Sequence, residues 1–444
     1  MKLLKGGRVV DPASSADRIL DIRIDGDSIV EVGENLDNDG EVLDCRGAVI
    51  APGFVDLHVH FREPGGEESE TIETGSRAAA AGGYVCVCPM PNTDPAQDNA
   101  SGVEYVWNRG REVGLVDVLP IGAITVGRAG AELAPMGEMH RSAANVRVFS
   151  DDGDPVPTAQ LMRRAMEYAS ALDAVIVDHA EDPSMRDGEM HEGEVSAVLG
   201  LSAIPAEAEE ICVLRDLALA KMTGARLHIA HISTAGAVEA VRRAKAAGIA
   251  VTCEVTPHHL SLTDEAVRSF DPSFKVAPPL RSEEHVRALK EAIADGTIDA
   301  IATDHAPHAA HAKDREFEYA PCGMVGLETA LGVVLAELVE SGVCSLERVI
   351  ELMSTGPARI LGKSDQYGGP IASGRPANLV VFDPETSWTV EPTALHSRSR
   401  NTPFAGRKLS GRVVHTVLRG QFSVRESEVQ PTPATPERSG GVRK

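Results

Sequence analysis

Eight short apolar runs, separated by longer segments with helical periodicity, constrain the fold of this 444-residue chain more than any other feature. The helical segments 71–81 and 234–247, for example, are rich in alanine and each ends at a glycine. Such alternation is typical of repeated βα units, and eight units close most naturally into a (β/α)8 barrel. The sequence therefore predicts an α/β fold of this class. The predicted strands are 48–57, 84–88, 116–123, 146–149, 174–177, 226–230, 250–255 and 299–302.

Polar clusters follow six of these predicted strands at their C-terminal ends, and we find no comparable set at the opposite ends. In a barrel of this class the C-terminal ends of the strands meet at one rim, where the active site lies. The sequence therefore predicts a functional site at that rim. The clusters are His58 with His60, then 89–93, 149–153, 178–181, 231–234 and 303–308.

Both ends of the chain carry short β-like runs with turn signals, outside the barrel. Because chain termini usually lie close together, we expect residues 1–50 and 366–425 to form one small composite β-sandwich beside a barrel of residues 51–365. Residues 426–444 are rich in proline, threonine, serine and arginine, which predicts a disordered tail.

Composition excludes several classes of function. The chain has 43 basic and 66 acidic residues, a net charge of −23, which disfavours nucleic-acid and membrane-surface binding. Its seven cysteines lack the density of a disulfide framework and any CxxC pair. Neither a signal peptide nor an apolar stretch of spanning length is visible. We expect a soluble cytoplasmic protein.

The segment Asp56-Leu57-His58-Val59-His60 is the first indication of chemistry. Alternation along a strand places Asp56, His58 and His60 on one face. Two adjacent imidazoles suit zinc, and Asp56 could orient one ring from behind. Taken alone, the pair could equally be ordinary strand residues, because two ligands do not fill a zinc site.

Further potential ligands follow the other strands. Four histidines and two carboxylates exceed the needs of one zinc ion but suit two metals that share a carboxylate and a water, an arrangement that favours metal-assisted amide hydrolysis. Asp304 could then carry a proton to the leaving nitrogen. Asp151 and Asp152 should face opposite ways, and the sequence alone does not separate them. The candidates are His58, His60, Asp151, His179, His231 and Asp304, with Arg62, Asn92 and His308 nearby.

Some of these residues have simpler interpretations. His179 alone would be read as a buried, hydrogen-bonded histidine, and His228 should face away from His231 and be structural. Hydrogen-bonded packing is also the favoured reading for His258 and His259. Arg62 could pair with a surface carboxylate, but its place two residues after His60 favours binding of a substrate carboxylate.

These motifs together resemble the dihydroorotase family of the amidohydrolase superfamily, in the longer form found as a separate bacterial polypeptide. The resemblance extends from about residue 5 to residue 420. It implies that His58, His60 and Asp304 hold one zinc and that His179 and His231 hold the other. The segments that carry it are 56–65, 90–93, 149–153, 254–260, 302–308, 323–329 and 397–404.

The resemblance also implies that Asp151, rather than Asp152, bridges the two zinc ions. Hydantoinases and allantoinases of the superfamily use a carboxylated lysine as this bridge, and no lysine stands near the fourth strand end here. That absence favours dihydroorotase chemistry over theirs.

Substrate contacts are implied for His60, Arg62, Asn92 and His308, and for the backbone of Cys322 and Gly323. Ala277 departs from the family, which usually has asparagine there in contact with substrate. Losing that contact should cost roughly 1.5 to 3 kcal/mol, about 10- to 150-fold in binding.

The implied function is zinc-dependent interconversion of (S)-dihydroorotate and N-carbamoyl-L-aspartate in pyrimidine synthesis. Expected partners are this small-molecule substrate, further copies of the chain in a homo-oligomer, and aspartate transcarbamoylase. Two alternatives stay open. One is another cyclic amidohydrolase, such as an allantoinase or hydantoinase; the other is a non-catalytic scaffold.

Overall fold

The computed structural model describes residues 1–37 and 40–432. Nine strands from the two ends of the chain form one sheet, in the order β19-β18-β17-β16-β5-β1-β2-β3, with β4 paired to β1. These strands are β1 (Lys2–Asp11), β2 (Ala16–Asp25), β3 (Ser28–Gly33), β4 (Glu41–Asp44), β5 (Val49–Pro52), β16 (Leu379–Thr389), β17 (Lys408–Leu418), β18 (Gln421–Arg425) and β19 (Glu428–Val429).

The two chain ends meet where β5 pairs antiparallel with β16. The predicted disordered tail, residues 426–444, contains strand β19, which pairs with β18. The prediction of disorder is therefore wrong for Glu428 and Val429. Residues 433–444 of the predicted tail lie outside the described residues.

Each of the eight apolar runs overlaps a parallel strand. Three strands pair in the order β6-β7-β8 and five in the order β15-β14-β13-β10-β9. They are β6 (Phe54–Val59), β7 (Tyr84–Pro89), β8 (Asp117–Val118), β9 (Val148–Phe149), β10 (Val175–Asp178), β13 (Arg226–Ile229), β14 (Val251–Val255) and β15 (Ala300–Ile301). A further short parallel pair consists of β11 (Met190–His191) and β12 (Ala203–Ile204).

Single parallel bridges join the outer edges of the two larger parallel sheets. Val59 pairs with His305 at one edge, and Gly122 pairs with Phe149 at the other. The backbone of His60 donates to His305 O at 2.9 Å, and that of Gly122 donates to Val148 O at 3.1 Å. The carboxyl ends of all eight strands are thereby brought to one rim.

Helices follow most of the parallel strands. Thr71 and Thr234 cap the starts of α1 and α7, where each side chain accepts a backbone N–H of the first turn. The helices are α1 (Ile72–Ala81), α2 (Ala100–Val113), α3 (Met136–Arg141), α4 (Ala159–Ala171), α5 (Glu194–Leu199), α6 (Ala206–Thr223), α7 (Ala235–Ala246), α8 (Pro257–Ser261), α9 (Glu283–Ala294), α10 (Ala310–Lys313), α11 (Ala330–Val334), α12 (Leu346–Ile350) and α13 (Gly356–Ile360).

The first predicted strand, 48–57, is divided between the two parts of the molecule. Strand β5 belongs to the nine-stranded sheet, β6 belongs to the parallel strands, and Gly53 lies between them. A Cβ at Gly53 would lie 2.4 Å from a methyl carbon of Val85, so glycine lets the chain cross closely over β7. Within the part of the chain that the structure describes, no helix has the length and apolar character to cross a bilayer.

Candidate metal centre

Five strand ends bring six potential metal-ligating side chains together at the rim. His58 lies near the end of β6, and His60 follows that strand. Asp152 follows β9, His179 follows β10, His231 follows β13 and Asp304 follows β15. All six side chains are buried. His231 and Asp304 have positive φ angles of 29° and 46°, which non-glycine residues rarely adopt and which turn both side chains at the strand ends.

Asp152 lies at the centre of the cluster. Its Oδ1 is 3.2 Å from His58 Nε2, 3.5 Å from His231 Nε2 and 3.7 Å from His179 Nδ1. Its Oδ2 is 3.5 Å from His60 Nε2. One carboxylate therefore faces all four imidazoles, and two groups of potential ligands share it: His58 with His60, and His179 with His231.

The expectation that Asp151 rather than Asp152 faces the histidines is wrong. Asp151 Oδ1 accepts the backbone N–H groups of Ile124 and Thr125 at 2.8 and 3.0 Å, and Oδ2 accepts the Thr125 hydroxyl. Within the described structure, all the hydrogen bonds of its carboxylate thus go to the segment after β8. The two adjacent aspartates do face opposite ways, but Asp152 is the inward one.

Asp304 completes the cluster from the other side. Its Oδ1 lies 3.0 Å from His60 Nε2 and 3.5 Å from His58 Nε2. Burial would raise the pKa of Asp304, but His58 and His60 hold it well below its ordinary value. The side chain is therefore a carboxylate at neutral pH.

Two glutamates that sequence reasoning missed orient the histidines from behind. Glu254 Oε1 lies 2.9 Å from His58 Nδ1, and Glu181 Oε2 lies 2.8 Å from His179 Nε2. Such partners fix the ring orientation and make an imidazole a better ligand. His228 bonds the other oxygen of Glu254 at 3.1 Å and Thr252 at 2.8 Å, so the structural interpretation of His228 is confirmed.

Asp56 does not orient an imidazole, contrary to expectation. It accepts the backbone N–H of His58 at 3.1 Å and both the backbone and the hydroxyl of Thr303, at 3.1 and 2.6 Å. Burial raises the pKa of Asp56 to about 7 despite these bonds. Its role is to fasten β6 to the end of β15, one residue before Asp304.

The buried carboxylates stabilise positive charge on the imidazoles. Burial would lower the pKa of His179, yet Asp152 and Glu181 raise it to about 10. Burial would also raise the pKa of Asp152, but His58, His179 and His231 hold it well below its ordinary value. Either protons or a bound cation can supply the positive charge that this arrangement stabilises.

The cluster opens into a cavity of about 240 Å³. Every residue predicted to contact substrate lines it: His60, Arg62, Asn92, Ala277, His308, Cys322 and Gly323. No lysine is among the described residues that line it. Burial lowers the pKa of Arg62 to about 10, so its guanidinium is charged at neutral pH.

Hydrogen bonds hold the walls of this cavity in place. Asn92 Oδ1 lies 2.9 Å from His60 Nδ1, so Asn92 orients a potential ligand as well as lining the cavity. On the opposite loop, His308 Nε2 bonds the backbone oxygen of Cys322 at 2.7 Å. Arg62 Nε donates to Pro307 O at 3.2 Å, which holds the guanidinium against the same loop.

Two arginines that the sequence did not reveal support the loop of Asp152. Arg128 donates to the backbone oxygens of Asp151 and Asp152 at 3.2 and 2.9 Å, and Arg186 donates to that of Gly153 at 3.0 Å. Both lie far from this loop in sequence and in no recognisable motif. Only the folded arrangement identifies them.

Comparisons with known proteins agree with this geometry. The chain matches the Dihydro-orotase-like family over residues 47–237 and the Amidohydrolase family over residues 200–424. It is 54% identical over 406 residues to a dihydroorotase of Streptomyces coelicolor, covering 91% of this chain and 95% of the relative. A dihydroorotase of Mycobacterium tuberculosis is 49% identical over 426 residues, covering 95% and 99%. The chain belongs to the dihydroorotase family.

Membership of this family makes the protein an amidohydrolase, and solved structures agree. An L-hydantoinase (dihydropyrimidinase) from Arthrobacter aurescens superposes with a TM-score of 0.87 at 25% identity, covering 97% of each chain. The α/β fold is therefore shared with hydantoinase-type structures.

The donor atoms of this dihydroorotase-family cluster fit a metal ion. His58 Nε2 and Asp152 Oδ1 are both buried and make no hydrogen bond within the described structure, although they are 3.2 Å apart. Buried polar atoms without partners are costly, and a cation held between them would satisfy both. Imidazole nitrogens with carboxylate oxygens are a donor set that zinc accepts.

A third group of potential ligands, Asp178, Cys212 and Asp216, lies outside the cavity and does not resemble the first two. Arg215 Nε donates to Asp216 Oδ1 at 2.8 Å, and Arg215 Nη2 is 3.7 Å from Asp178. This arginine already pairs with both carboxylates of the group. The cluster around Asp152 is therefore the candidate metal centre of this family member.

Proposed function

We propose that this protein is a zinc-dependent dihydroorotase that interconverts (S)-dihydroorotate and N-carbamoyl-L-aspartate in pyrimidine synthesis. The observation that carries the proposal is the convergence of four imidazoles and two carboxylates beside a cavity whose lining includes a charged arginine. Family membership supports the same reaction.

Two zinc ions would be held by overlapping sets of these side chains. His58, His60 and Asp304 would hold one, His179 and His231 the other, and Asp152 would be shared. When bound, zinc would supply Lewis acidity toward the attacked carbonyl and lower the pKa of the attacking water. The central place of Asp152, which faces all four imidazoles, supports this division.

Arg62, Asn92 and His308 would bind the substrate, together with His60 and the backbone of Cys322 and Gly323. Among the described contacts of the Arg62 guanidinium, only Nε makes a hydrogen bond, so its terminal nitrogens can grip a carboxylate in a bidentate manner. The backbone oxygen of Cys322 can accept a ring N–H, although His308 already donates to it.

Asp304 would move the proton of the reaction. The oxygen of water bonds to the ring carbonyl carbon while Asp304 takes a proton from that water. The carbon–nitrogen bond then breaks, and Asp304 delivers the proton to the departing nitrogen. Asp304 lines the cavity beside His60, with its Oδ1 3.0 Å from His60 Nε2, and this place suits both transfers.

Hydantoinase or allantoinase activity is the main alternative. The structural similarity to an L-hydantoinase is the observation that supports it. Two features argue against it. An uncharged hydantoin offers Arg62 no carboxylate, and an aspartate, Asp152, occupies the central position where those enzymes would need a carboxylated lysine. A non-catalytic scaffold would not need the complete ligand set.

We propose, further, that the eight parallel strands form a closed (β/α)8 barrel and that the nine-stranded sheet folds as a sandwich. The bridges between Val59 and His305 and between Gly122 and Phe149 support closure. The boundary between the two domains would then fall at Gly53. All seven cysteines are free, which supports a reducing cytoplasm, and we keep a homo-oligomer and aspartate transcarbamoylase as proposed partners.

The test is the initial rate of dihydroorotate hydrolysis by the zinc-loaded protein, followed by loss of ultraviolet absorbance, beside Asp304→Ala. Removing the proton carrier should lower kcat about 10²- to 10⁴-fold. Zinc content is measured in both proteins, so that loss of metal is not mistaken for loss of proton transfer. Absence of wild-type turnover with two zinc ions bound, together with hydrolysis of hydantoin or allantoin, would overturn the proposal.

A further inference from the structure

A segment of the C-terminal part of the chain packs against loops that form the wall of the cavity. It comprises residues 397–404, between β16 and β17, and we call it the 397–404 strap. Ser397 Oγ and the backbone N–H of Arg398 donate to the buried Glu70, and Ser399 Oγ donates to Ser69 O at 2.7 Å. The strap is thereby fastened to the loop that follows Arg62.

Asn401 connects this strap to the opposite wall of the cavity. Its Oδ1 accepts the backbone N–H of His308 at 3.1 Å, and its Nδ2 donates to Ala306 O at 3.0 Å and to Gly323 O at 3.1 Å. Its backbone oxygen accepts the N–H of Val325 at 3.1 Å. Asn401 is only 6% exposed, so these bonds form away from water.

The Asn401 side chain bonds to Ala306, His308 and Gly323, and all three residues line the cavity, whereas Asn401 does not. Gly323 lies very close to both Ala306 and His308. A Cβ at Gly323 would lie 2.7 Å from the Cβ of Ala306 and 2.9 Å from His308 Nε2, and Gly323 has a φ of 131°. A small change in the spacing of the two loops would therefore move His308 and the 322–323 backbone relative to each other.

We infer that Asn401 is a positioning residue for substrate recognition: it sets the spacing between His308 and the Cys322–Gly323 backbone without touching the metal ligands. The inference rests on the proposed function. On this inference, the strap in the C-terminal part of the chain controls the affinity of the barrel rim for the substrate ring.

The chemistry of the position favours asparagine. The site needs one acceptor and two donors on a single planar group, which a carboxamide supplies in full. Aspartate has the same shape but would place an oxygen against the carbonyl oxygens of Ala306 and Gly323. Alanine would leave one donor and two acceptors without their partner.

The test compares Asn401→Asp and Asn401→Ser with Thr402→Ala. Thr402 is buried in the same strap, and its Oγ1 accepts the N–H of Phe404 at 3.2 Å, but it has no contact with the cavity wall among the described hydrogen bonds. Measurements are KM and kcat for dihydroorotate, zinc content and Tm. Serine is the milder change, included because aspartate can prevent folding.

We expect KM to rise about 10-fold in the Asn401 variants, because a misplaced binding group weakens its contact with the ligand. The value of kcat should stay within about threefold and the zinc content unchanged, since Asp304 and the histidines are not disturbed. Thr402→Ala should lower Tm without changing KM, as a purely structural role would.

The inference is overturned if folded Asn401→Ser keeps the wild-type KM while Tm falls as in Thr402→Ala. It is also overturned if zinc content falls together with kcat, because Asn401 would then act on the metal centre. A wild-type protein that does not hydrolyse dihydroorotate would instead contradict the proposed function, and the inference with it. The wild-type measurement therefore separates the two failures.

Discussion

The two walls of the cavity are built in different ways. On the metal wall, His58 Nε2 and Asp152 Oδ1 are buried without a hydrogen-bond partner. On the substrate wall, His308 and the 322–323 backbone are held by hydrogen bonds to Asn401 and to each other. The unpaired atoms of the metal wall can be satisfied by a bound cation or by protons, which the chain does not supply. The polar groups of the substrate wall are satisfied by hydrogen bonds within the chain. Substitutions on the two walls should therefore separate metal binding from substrate binding.

The largest effect should come from Asp152→Ala, on the metal wall. This change removes the carboxylate that, among the described residues, faces both pairs of histidines. Both zinc sites should weaken by more than the roughly 10- to 100-fold that loss of an outer hydrogen-bonding partner costs. Hydrolysis of dihydroorotate should fall below detection. Zinc titration of the apoprotein, followed by activity, measures both effects.

Asp151→Asn is the matched control for Asp152→Ala. An amide at position 151 still accepts the backbone N–H groups of Ile124 and Thr125 through its oxygen and loses only the acceptor of the Thr125 hydroxyl, so the change should cost about 1 kcal/mol of unfolding free energy. Zinc affinity should change little. If Asp151→Asn lost zinc and Asp152→Ala kept it, the assignment of the inward carboxylate would be reversed.

A smaller and more selective effect is expected from Glu254→Gln. Glu254 accepts from His58 and His228, and these contacts lower its pKa to about 2 although burial alone would raise it. Glutamine keeps the size but loses the charge that holds the His58 ring. The affinity of the zinc site that contains His58 should fall about 10- to 100-fold.

Glu181→Gln is the companion variant to Glu254→Gln, because Glu181 orients His179 in the same way. It should weaken the other zinc site by a similar factor. Zinc stoichiometry measured against free zinc concentration would show two separable sites. If both variants released the same ion first, the division of the ligands between two sites would be wrong.

Sequence reasoning located the strand ends but could not assign every side chain on them. His58, His60, His179 and His231 converge as expected because each follows a recognisable apolar run. Alternation leaves Asp151 and Asp152 unseparated because β9 is only two residues long, Val148–Phe149, and the pattern cannot be extended three residues past its end. The choice of Asp151 rests on the family resemblance alone, and it is wrong. The inward direction is decided by contacts with the 124–125 backbone, which no local pattern reveals.

The outer partners of the site were missed for a related reason. Glu254 lies 196 residues from His58, and Arg186 lies 33 residues from Gly153, so neither pairing leaves a local pattern. A carboxylate inside an apolar strand, such as Glu254 in β14, was nevertheless a usable signal, because buried carboxylates need a partner. The strap residue Asn401 was within a recognised motif, but the motif did not show what it touches.

The smallest predicted effect concerns Ala277 on the substrate wall, at the position where the resemblance implies an asparagine. Ala277 lines the cavity with Gly323 and His308, so a longer polar side chain there would project toward the ligand. Ala277→Asn should lower KM for dihydroorotate by about 10-fold, the lower end of what a hydrogen bond to a charged ligand contributes.

Ala277→Asn also provides the sharpest comparison of the two walls. Zinc content and the zinc dependence of activity should stay at wild-type values, because Ala277 makes no contact with the ligand cluster among the described hydrogen bonds and ion pairs. Ala277→Val, which adds bulk without a polar group, is the control and should not lower KM. An unchanged or raised KM in the asparagine variant would mean that the cavity already satisfies this part of the substrate by other means. Arg186, which lines the same cavity and has a buried Nη1 without a hydrogen bond in the described structure, would then be the group to substitute next.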